Sequence, residues 1–446
     1  MQPYKSDTIV ACATPPGRGG VGIIRLSGSL AYSIVLKINQ QQTLIPRYAK
    51  YGSVYNQYGE CLDTGLFLYF QAPHSFTGED VVEIQVHGSP VVIDAIIEET
   101  LRLGARIARP GEFSERAFIF GKMDLVQAEA VADLIHAHSQ KAARLAVRSL
   151  QGEFSKKITL IHDKIIYLRM FIEASLDFSE EAIEHIEKEK IDHQLQEISA
   201  QIEQVLLNAY QGSLLQEGIS VVIAGKPNAG KSSILNALAG YDVAIVTAIP
   251  GTTRDVMRES IMIDDIPLHI IDTAGIREST DIIEQEGIRR ARHAITNADC
   301  VLWIKDIQDL KNDSVEEVLE AIPEGIPILE VINKIDTKNQ VAHRTNDIIY
   351  MSALTGEGLS LLKTALKEKV GYEPTEGLFL ARRRHVDALK RTQEHLYLAH
   401  ETFRTSSFEL LAENLRLAHQ YLGEITGEFT SDDLLGVIFS QFCIGK

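Results

Sequence analysis

The chain has 446 residues, more than one hydrophobic core ordinarily supports, so two or three domains are expected. Apolar residues make up 45% and charged residues 24%, and no apolar run approaches the ~18 residues that span a bilayer, so no membrane segment is expected. With 61 acidic against 44 basic residues the net charge is -17, which opposes loose polyanion binding over the whole surface and confines any RNA contact to a local basic patch.

The opening stretch Met1 to Asp7 leads into a short apolar run before Pro15-Pro16-Gly17, which does not fit a secretory signal, so a cytoplasmic location is expected. Residues 7–11, 21–26, 65–70 and 81–86 are short β-rich runs punctuated by Gly and Pro, with a helical pattern from Val91 to Leu103. They predict a small α+β domain over residues 1–120. Residues 121–213 are nearly free of Gly and Pro and rich in helix formers, which predicts a first helical part. His136 and His138 fall two apart in this predicted helical run and would diverge by about 200°, so they are read as ordinary helix residues rather than metal ligands.

From 214 to 375 the pattern changes to apolar runs at Ile219–Ala224, Leu268–Ile271, Cys300–Ile304, Ile326–Ile332 and Ile348–Met351, separated by helical stretches. That alternation predicts a doubly wound sheet. Residues 376–446 return to helix, beginning at Arg382-Arg383-Arg384, where a solvated charge run or a contact with the helical domain's acids is favoured over tRNA phosphate. The fold class expected is therefore multidomain α/β plus α: an N-terminal α+β domain, a discontinuous helical domain, and an inserted α/β domain with a doubly wound sheet. The four cysteines (Cys12, Cys61, Cys300 and Cys443) are scattered, without zinc-ligand spacing, and are read as reduced thiols.

Gly225-Lys226-Pro227-Asn228-Ala229-Gly230-Lys231-Ser232 directly follows the apolar run Ile219–Ala224 and precedes a helical run from Ser233, the context that a phosphate-binding loop needs. The backbone of such a loop turns N–H groups toward the phosphates, Lys231 neutralises the β and γ oxygens, and the Ser232 hydroxyl is a Mg²⁺ ligand. Thr253 in Gly251-Thr252-Thr253-Arg254-Asp255 is placed to give Mg²⁺ a second hydroxyl. Asp272-Thr273-Ala274-Gly275 ends a strand and puts Asp272 near the metal and the Gly275 N–H near the γ-phosphate. Asn333-Lys334-Ile335-Asp336 ends another, where the Asp336 carboxylate accepts the N1 and N2 hydrogens of guanine, which adenine cannot offer. Ser352-Ala353-Leu354 suits the loop whose N–H meets the guanine O6. The position after Gly275 is Ile276, which cannot orient water, so the attacking water needs another catalytic group.

Together with those motifs, Ala13-Thr14-Pro15-Pro16-Gly17-Arg18-Gly19-Gly20, Ser75-Phe76-Thr77-Gly78-Glu79-Asp80, Arg109-Pro110-Gly111-Glu112-Phe113 and Cys443-Ile444-Gly445-Lys446 resemble the tRNA modification GTPase family called MnmE or TrmE, over Thr8 to Lys446. The resemblance implies a K⁺-activated GTPase, with K⁺ held at Asn228, Thr247, Ile249 and Thr252 in place of an arginine finger. That loop carries Ala248 and Pro250, where the family more often has Asp and Ala. The family's catalytic glutamate matches Glu284. The resemblance further implies a homodimer whose G domains pair, and a flavin- and NADH-dependent partner, MnmG, in a heterotetramer or larger complex. The FAD is carried only by that partner. Together they would place an aminomethyl or carboxymethylaminomethyl group on C5 of the wobble uridine of tRNA.

A tetrahydrofolate one-carbon derivative, of 5-formyl or 5,10-methylene type, is implied in the first domain, with contacts matching Arg25, Glu83, Lys122 and Lys446 and possible chemistry at Cys443. Cys443 stands fourth from the end, but Gly445 and Lys446 suit a prenylation signal poorly. The alternative from another class is a regulatory RNA-binding G-protein switch, such as a ribosome-assembly GTPase. A folate enzyme with a purely structural G domain is opposed by the intact Lys231, Ser232, Thr253 and Asp272.

Overall fold

The computed structural model describes residues 7–41, 43–177, 185–226, 228–241, 259–272, 298–309, 326–373, 378–405, 407–429, 432–440 and 442–445. The chain forms two compact units, one of Met1–His136, Val147–Ser199 and Arg391–Lys446, the other of Ala137–Ala146 and Ala200–Lys390.

The first unit opens with β1 (Thr8–Cys12), β2 (Gly19–Ser27), α1 (Ala31–Ile38), β3 (Lys50–Tyr55), β4 (Cys61–Phe70), β5 (Val81–Gly88), α2 (Pro90–Arg102) and β6 (Ala105–Ile107). The strands form a six-stranded sheet in the order β3-β4-β5-β2-β1-β6, antiparallel except for β1 with β6. Alternation along β2 and β5 turns Ile24, Leu26, Val82 and Ile84 inward, where Ile34, Val35 and Ile38 of α1 and Ile93 and Ile96 of α2 close over them. The pairing sets Arg25 opposite Glu83. The sequence does not announce β3, an edge strand of mostly partly buried residues, or β6, which is three residues long.

Among the described residues, five further helices lead to the second sheet: α3 (Glu112–Ile119), α4 (Leu125–Ile135), α5 (Gln140–Leu150), α6 (Glu153–Asp177) and α7 (His185–Glu217). Asp124 starts α4 with a reciprocal cap: its carboxylate accepts from Gln127 N at 2.9 Å while Gln127 Oε1 accepts from Asp124 N at 3.0 Å. His136 and His138 are not helical, contrary to the sequence reading. The helix stops at Ile135 with His136 as its C-cap, and Ser139 restarts the chain as α5 by accepting from Ala142 N at 3.1 Å.

The second unit carries β7 (Ile219–Gly225), α8 (Lys231–Tyr241), β8 (Glu259–Ile263), β9 (Ile266–Asp272), β10 (Cys300–Asp306), β11 (Ile328–Asn333), β12 (His343–Thr345), β13 (Ile348–Tyr350) and α9 (Leu359–Lys369). Its seven strands lie in the order β12-β13-β11-β10-β7-β9-β8, parallel from β13 to β9 and antiparallel at both edges. Each apolar run expected to be a central strand is one. From β7 the sheet grows first to β9 on one side and then to β10 on the other, so the switch point of a doubly wound sheet lies between β7 and β10.

Helix α10 (Arg383–Arg404), α11 (Phe408–Thr426) and α12 (Asp432–Ser440) follow. Arg383 spends its charge on acids, 2.9 Å from Asp299 and 3.5 Å from Glu217. Gly427, at φ 94°, ends α11. The last helix packs Ile438, Phe439 and Phe442 beside it against Leu125, Ala128 and Ala132 of α4. Among the described residues no helix is long and apolar enough to cross a membrane.

Candidate functional site

Strands β7, β10, β11 and β13 run parallel, so their C-terminal ends deliver one loop each to the same edge of the sheet, at the switch point. The loop after β7 is the glycine-rich one. Gly225 sits at φ 148°, and a Cβ there would come within 2.3 Å of Ile304 O on the neighbouring strand. Gly230, at φ 96°, is tighter still, since a Cβ would stand 2.1 Å from Asn333 Nδ2. Asn228 adopts the left-handed region without being glycine, at φ 65°. Lys231 begins α8, and its ammonium donates to Gly225 O at 2.7 Å and Lys226 O at 3.1 Å, folding the side chain back over the loop. Ser232 and Ser233 are exposed in the first turn of that helix.

The loop after β11 holds this one in place. Buried Asn333 donates from Nδ2 to Ala229 O at 3.1 Å and accepts at Oδ1 from Ala353 N at 2.9 Å, tying together the glycine-rich loop and the loop after β13. Lys334, itself left-handed at φ 66°, donates to Asn228 O and to Asp306 Oδ2, both at 2.7 Å. Asp336 accepts from the Ser352 hydroxyl, which orients the carboxylate. Thus Asn228, Ala229, Gly230, Lys231, Asn333, Lys334, Asp336, Ser352 and Ala353 converge on one face, linked by hydrogen bonds across more than a hundred residues of chain. Asp272 closes β9 beside them, paired in register with Ile223 of β7. Thr247, Ile249, Thr252, Thr253, Thr273, Ala274, Gly275, Glu284 and Lys446 lie outside the described residues.

In the first unit, Arg25 Nε donates to Glu83 Oε1 at 2.9 Å, and its guanidinium lies 5.7 Å from the ring centres of both Phe76 and Phe113. A fourth contact reaches the C-terminal segment, where Arg25 donates to Gly445 O at 3.3 Å. Gly445 cannot be larger: at φ 96° its Cβ would lie 2.4 Å from Cys12 O. Gly111 N donates to Cys443 O at 3.3 Å, so the exposed Cys443 is anchored by its backbone. Lys122 is set by the loop that carries Phe76, with its ammonium on Pro73 O at 2.8 Å and its stem beside Gly78.

Residues that sequence reasoning passed over lie beneath this loop. Arg116 of α3, 1% exposed, contacts Asp7 at 2.7 Å, Glu79 at 2.9 Å and Glu112 at 3.1 Å. Arg106 completes the cluster on Asp7 and Glu112. Burial works against the Glu112 carboxylate, but Arg106, the Arg109 N–H and Arg116 outweigh it and hold the carboxyl below its ordinary range. Glu79 and Glu112 stand inside two of the quoted motifs, which was the available signal. Asp306 ends an apolar strand at the switch point, but nothing in the linear sequence pairs it with Lys334.

A glycine-rich loop at the switch point of a doubly wound sheet, with an Asn-Lys-Ile-Asp loop bonded to its backbone, defines a GTP hydrolase of the Ras-like P-loop class. Family models match the chain before it and across it: "GTP-binding protein TrmE N-terminus" over residues 8–122 and "MnmE helical domain" over residues 125–443. The chain is 58% identical over 443 residues to the tRNA modification GTPase MnmE of Legionella pneumophila strain Paris, covering 99% of both. It is 50% identical over 446 residues to that of Methylococcus capsulatus, again covering 99% of both. Among solved structures, a point variant of Aquifex aeolicus Era bound to GDP.AlF4- is 25% identical with a TM-score of 0.26, covering 40% of this chain and 66% of that one. The chain belongs to the MnmE family of tRNA modification GTPases.

Proposed function

We propose that this GTPase is activated by K⁺ and acts on tRNA as a homodimer with the flavoprotein MnmG, adding an aminomethyl or carboxymethylaminomethyl group to C5 of the wobble uridine in the cytoplasm. GTP cleavage is the conformational driver and not the modifying reagent. The observation that carries the reading is the pair of hydrogen bonds from Asn333 and Lys334 to the backbone of the glycine-rich loop, which joins a guanine-selective loop to a phosphate cradle. Lys231 holds the β and γ oxygens, Asp336 selects guanine, and Ser233, Thr252, Thr273 and Ala274 complete the nucleotide contacts.

Ser232 and Thr253 would hold Mg²⁺. The exposed, left-handed Asn228 suits a cation ligand, with Thr247, Ile249 and Thr252 completing a K⁺ site. A K⁺ held by these residues would supply positive charge to stabilise the transition state of GTP cleavage. Glu284 orients the attacking water, a role left open by Ile276. G-domain pairing across the dimer closes the loop, and its reopening relays the change to the helical part.

In the first unit, Arg25 beside Phe76 and Phe113, together with its partner Glu83, suits a flat, hydrogen-bonding pterin, with Lys122 and Lys446 for a glutamate tail. That chemistry belongs to a tetrahydrofolate one-carbon donor, and Cys443 stands close by in sequence to the Gly445 that Arg25 touches.

The test is GTP turnover in KCl against NaCl at equal ionic strength, with Asn228→Ala and Glu284→Ala in parallel. K⁺ stimulation is expected in the parent and lost in Asn228→Ala. Glu284→Ala should still bind nucleotide and turn over about a hundredfold more slowly. Equal rates in both salts would remove the K⁺ reading and favour a regulatory RNA-binding switch.

A further inference from the structure

Among the described residues of the loop after β11, Lys334 is the cation that reaches the glycine-rich loop, and it does so with one hydrogen bond, to Asn228 O. Its stem is flexible, with four carbons, and its ammonium is a compact charge that could point elsewhere in solution. What aims it is a second partner. Asp306, last residue of β10, receives the ammonium at Oδ2 at 2.7 Å and uses Oδ1 to accept from Gln308 N at 2.9 Å. Both carboxylate oxygens are therefore committed, one to the chain's own turn and one to the lysine.

The carboxylate is mostly shielded, 15% exposed against 36% for Lys334, so the pair is screened less than a surface ion pair. Burial disfavours the charge on Asp306, yet Lys334 and the Gln308 N–H outweigh it and keep the carboxyl ionised below its usual range. Lys338 adds its charge nearby but donates to Ile307 O at 2.7 Å, so it does not compete for the carboxylate.

We infer that Asp306 is a positioning residue for nucleotide binding, acting through Lys334: it holds the ammonium against Asn228 O and so keeps the glycine-rich loop in its phosphate-binding form. The inference rests on the nucleotide site proposed above. Asn228 is left-handed, a conformation that asparagine visits more readily than most residues with a Cβ but that a restraint on its carbonyl holds in place. Its carbonyl bond to Lys334 is such a restraint, and Asp306 is the anchor that makes the restraint persistent. Both Asp306 oxygens are taken up by Gln308 N and Lys334, so its part in the site is indirect. Losing it should therefore weaken nucleotide retention while leaving the reacting groups intact.

The experiment measures release of a fluorescent GDP analogue from the full-length protein for Asp306→Ala, Asp306→Asn, Lys334→Ala and the Asp306→Ala/Lys334→Ala double variant. Asp306→Ala should release GDP about tenfold faster and Asp306→Asn about threefold faster, since asparagine keeps the Gln308 bond but not the ion pair. The double variant should release no faster than Lys334→Ala alone, because the acid acts only through the lysine. For Asp306→Ala and Asp306→Asn, kcat at saturating GTP should stay within about twofold of the parent while KM rises, which loss of folded protein would not produce.

Release by Asp306→Ala at the parent rate, or a double variant whose acceleration is the product of the two single ones, overturns the inference. If Asp306→Ala does not fold, Asp306→Asn with Lys334→Ala forms the same cycle and is read in the same way. Lys334→Ala releasing GDP at the parent rate overturns both readings, and locates the fault in the assignment of the loop after β11 to the nucleotide.

Discussion

At the scale of single residues, the nucleotide site depends on contacts too close to tolerate a methyl group. Gly230 combines φ 96° with an approach of 2.1 Å from a notional Cβ to Asn333 Nδ2, so Gly230→Ala must break either the loop conformation or the bond from Asn333 to Ala229 O. We expect GDP affinity to fall about a hundredfold, measured by titration calorimetry, with the rest of the chain folded. The thiols separate by environment. Burial pushes Cys300 up to about 12, so at pH 8 it stays a protonated, inaccessible thiol, while Cys61 and Cys443 are exposed. A thiol-reactive dye should modify Cys61 and Cys443 within minutes and reach Cys300 only after denaturation. Lys231, Asn333 and Asp336 were legible in the sequence because their roles attach to short local patterns at the ends of apolar runs. Arg116 and Asp306 were not, because their meaning lies in partners that only the fold brings near.

At the scale of elements, the first unit is organised around charge buried beneath a loop. Arg116 on α3 is fixed by Asp7, Glu79 and Glu112, and Glu79 also accepts from Ser27 of β2 at 2.8 Å. The loop from Ser75 to Asp80 is thereby fastened to both the helix and the sheet. Glu112→Gln should destabilise this unit by about 3 kcal/mol in thermal unfolding, since it leaves Arg106 and Arg116 short of a counter-charge. The pH dependence has a definite sign. The folded-state carboxyls of Glu112 and Asp7 are depressed, so their contribution is fully present above the ordinary carboxylate range and is lost as pH falls through the folded values. Acid titration of the unfolding midpoint should therefore fall less steeply below about pH 4.5 in Glu112→Gln than in the parent. Helix ends were harder to read than helix bodies: α4 stops at Ile135 because Ser139 recruits the next amides for α5, a local competition that composition does not reveal.

At the scale of the whole molecule, two compact units share one chain, and the nucleotide loops after β7, β11 and β13 all fall within the second. GDP binding should act on that unit by mass action. Calorimetric unfolding should resolve two transitions, and GDP at about 100 times its Kd should raise only one of them, by about 2.7 kcal/mol of stability. A single transition moved as a block would mean that the units unfold cooperatively. The sequence by itself determined the fold class, the central strands of the parallel sheet and the family, because strand periodicity, glycine-rich turns and spaced motifs are local consequences of backbone geometry. Only the tertiary structure decided which loops meet. That Asn333 holds Ala229, that Lys334 stands between Asn228 and Asp306, and that Arg25 reaches Gly445 follow from strand order and packing, where residues 104, 106 and 420 positions apart become neighbours. Hydrogen bonds and ion pairs depend on distance in space, which a linear pattern does not carry.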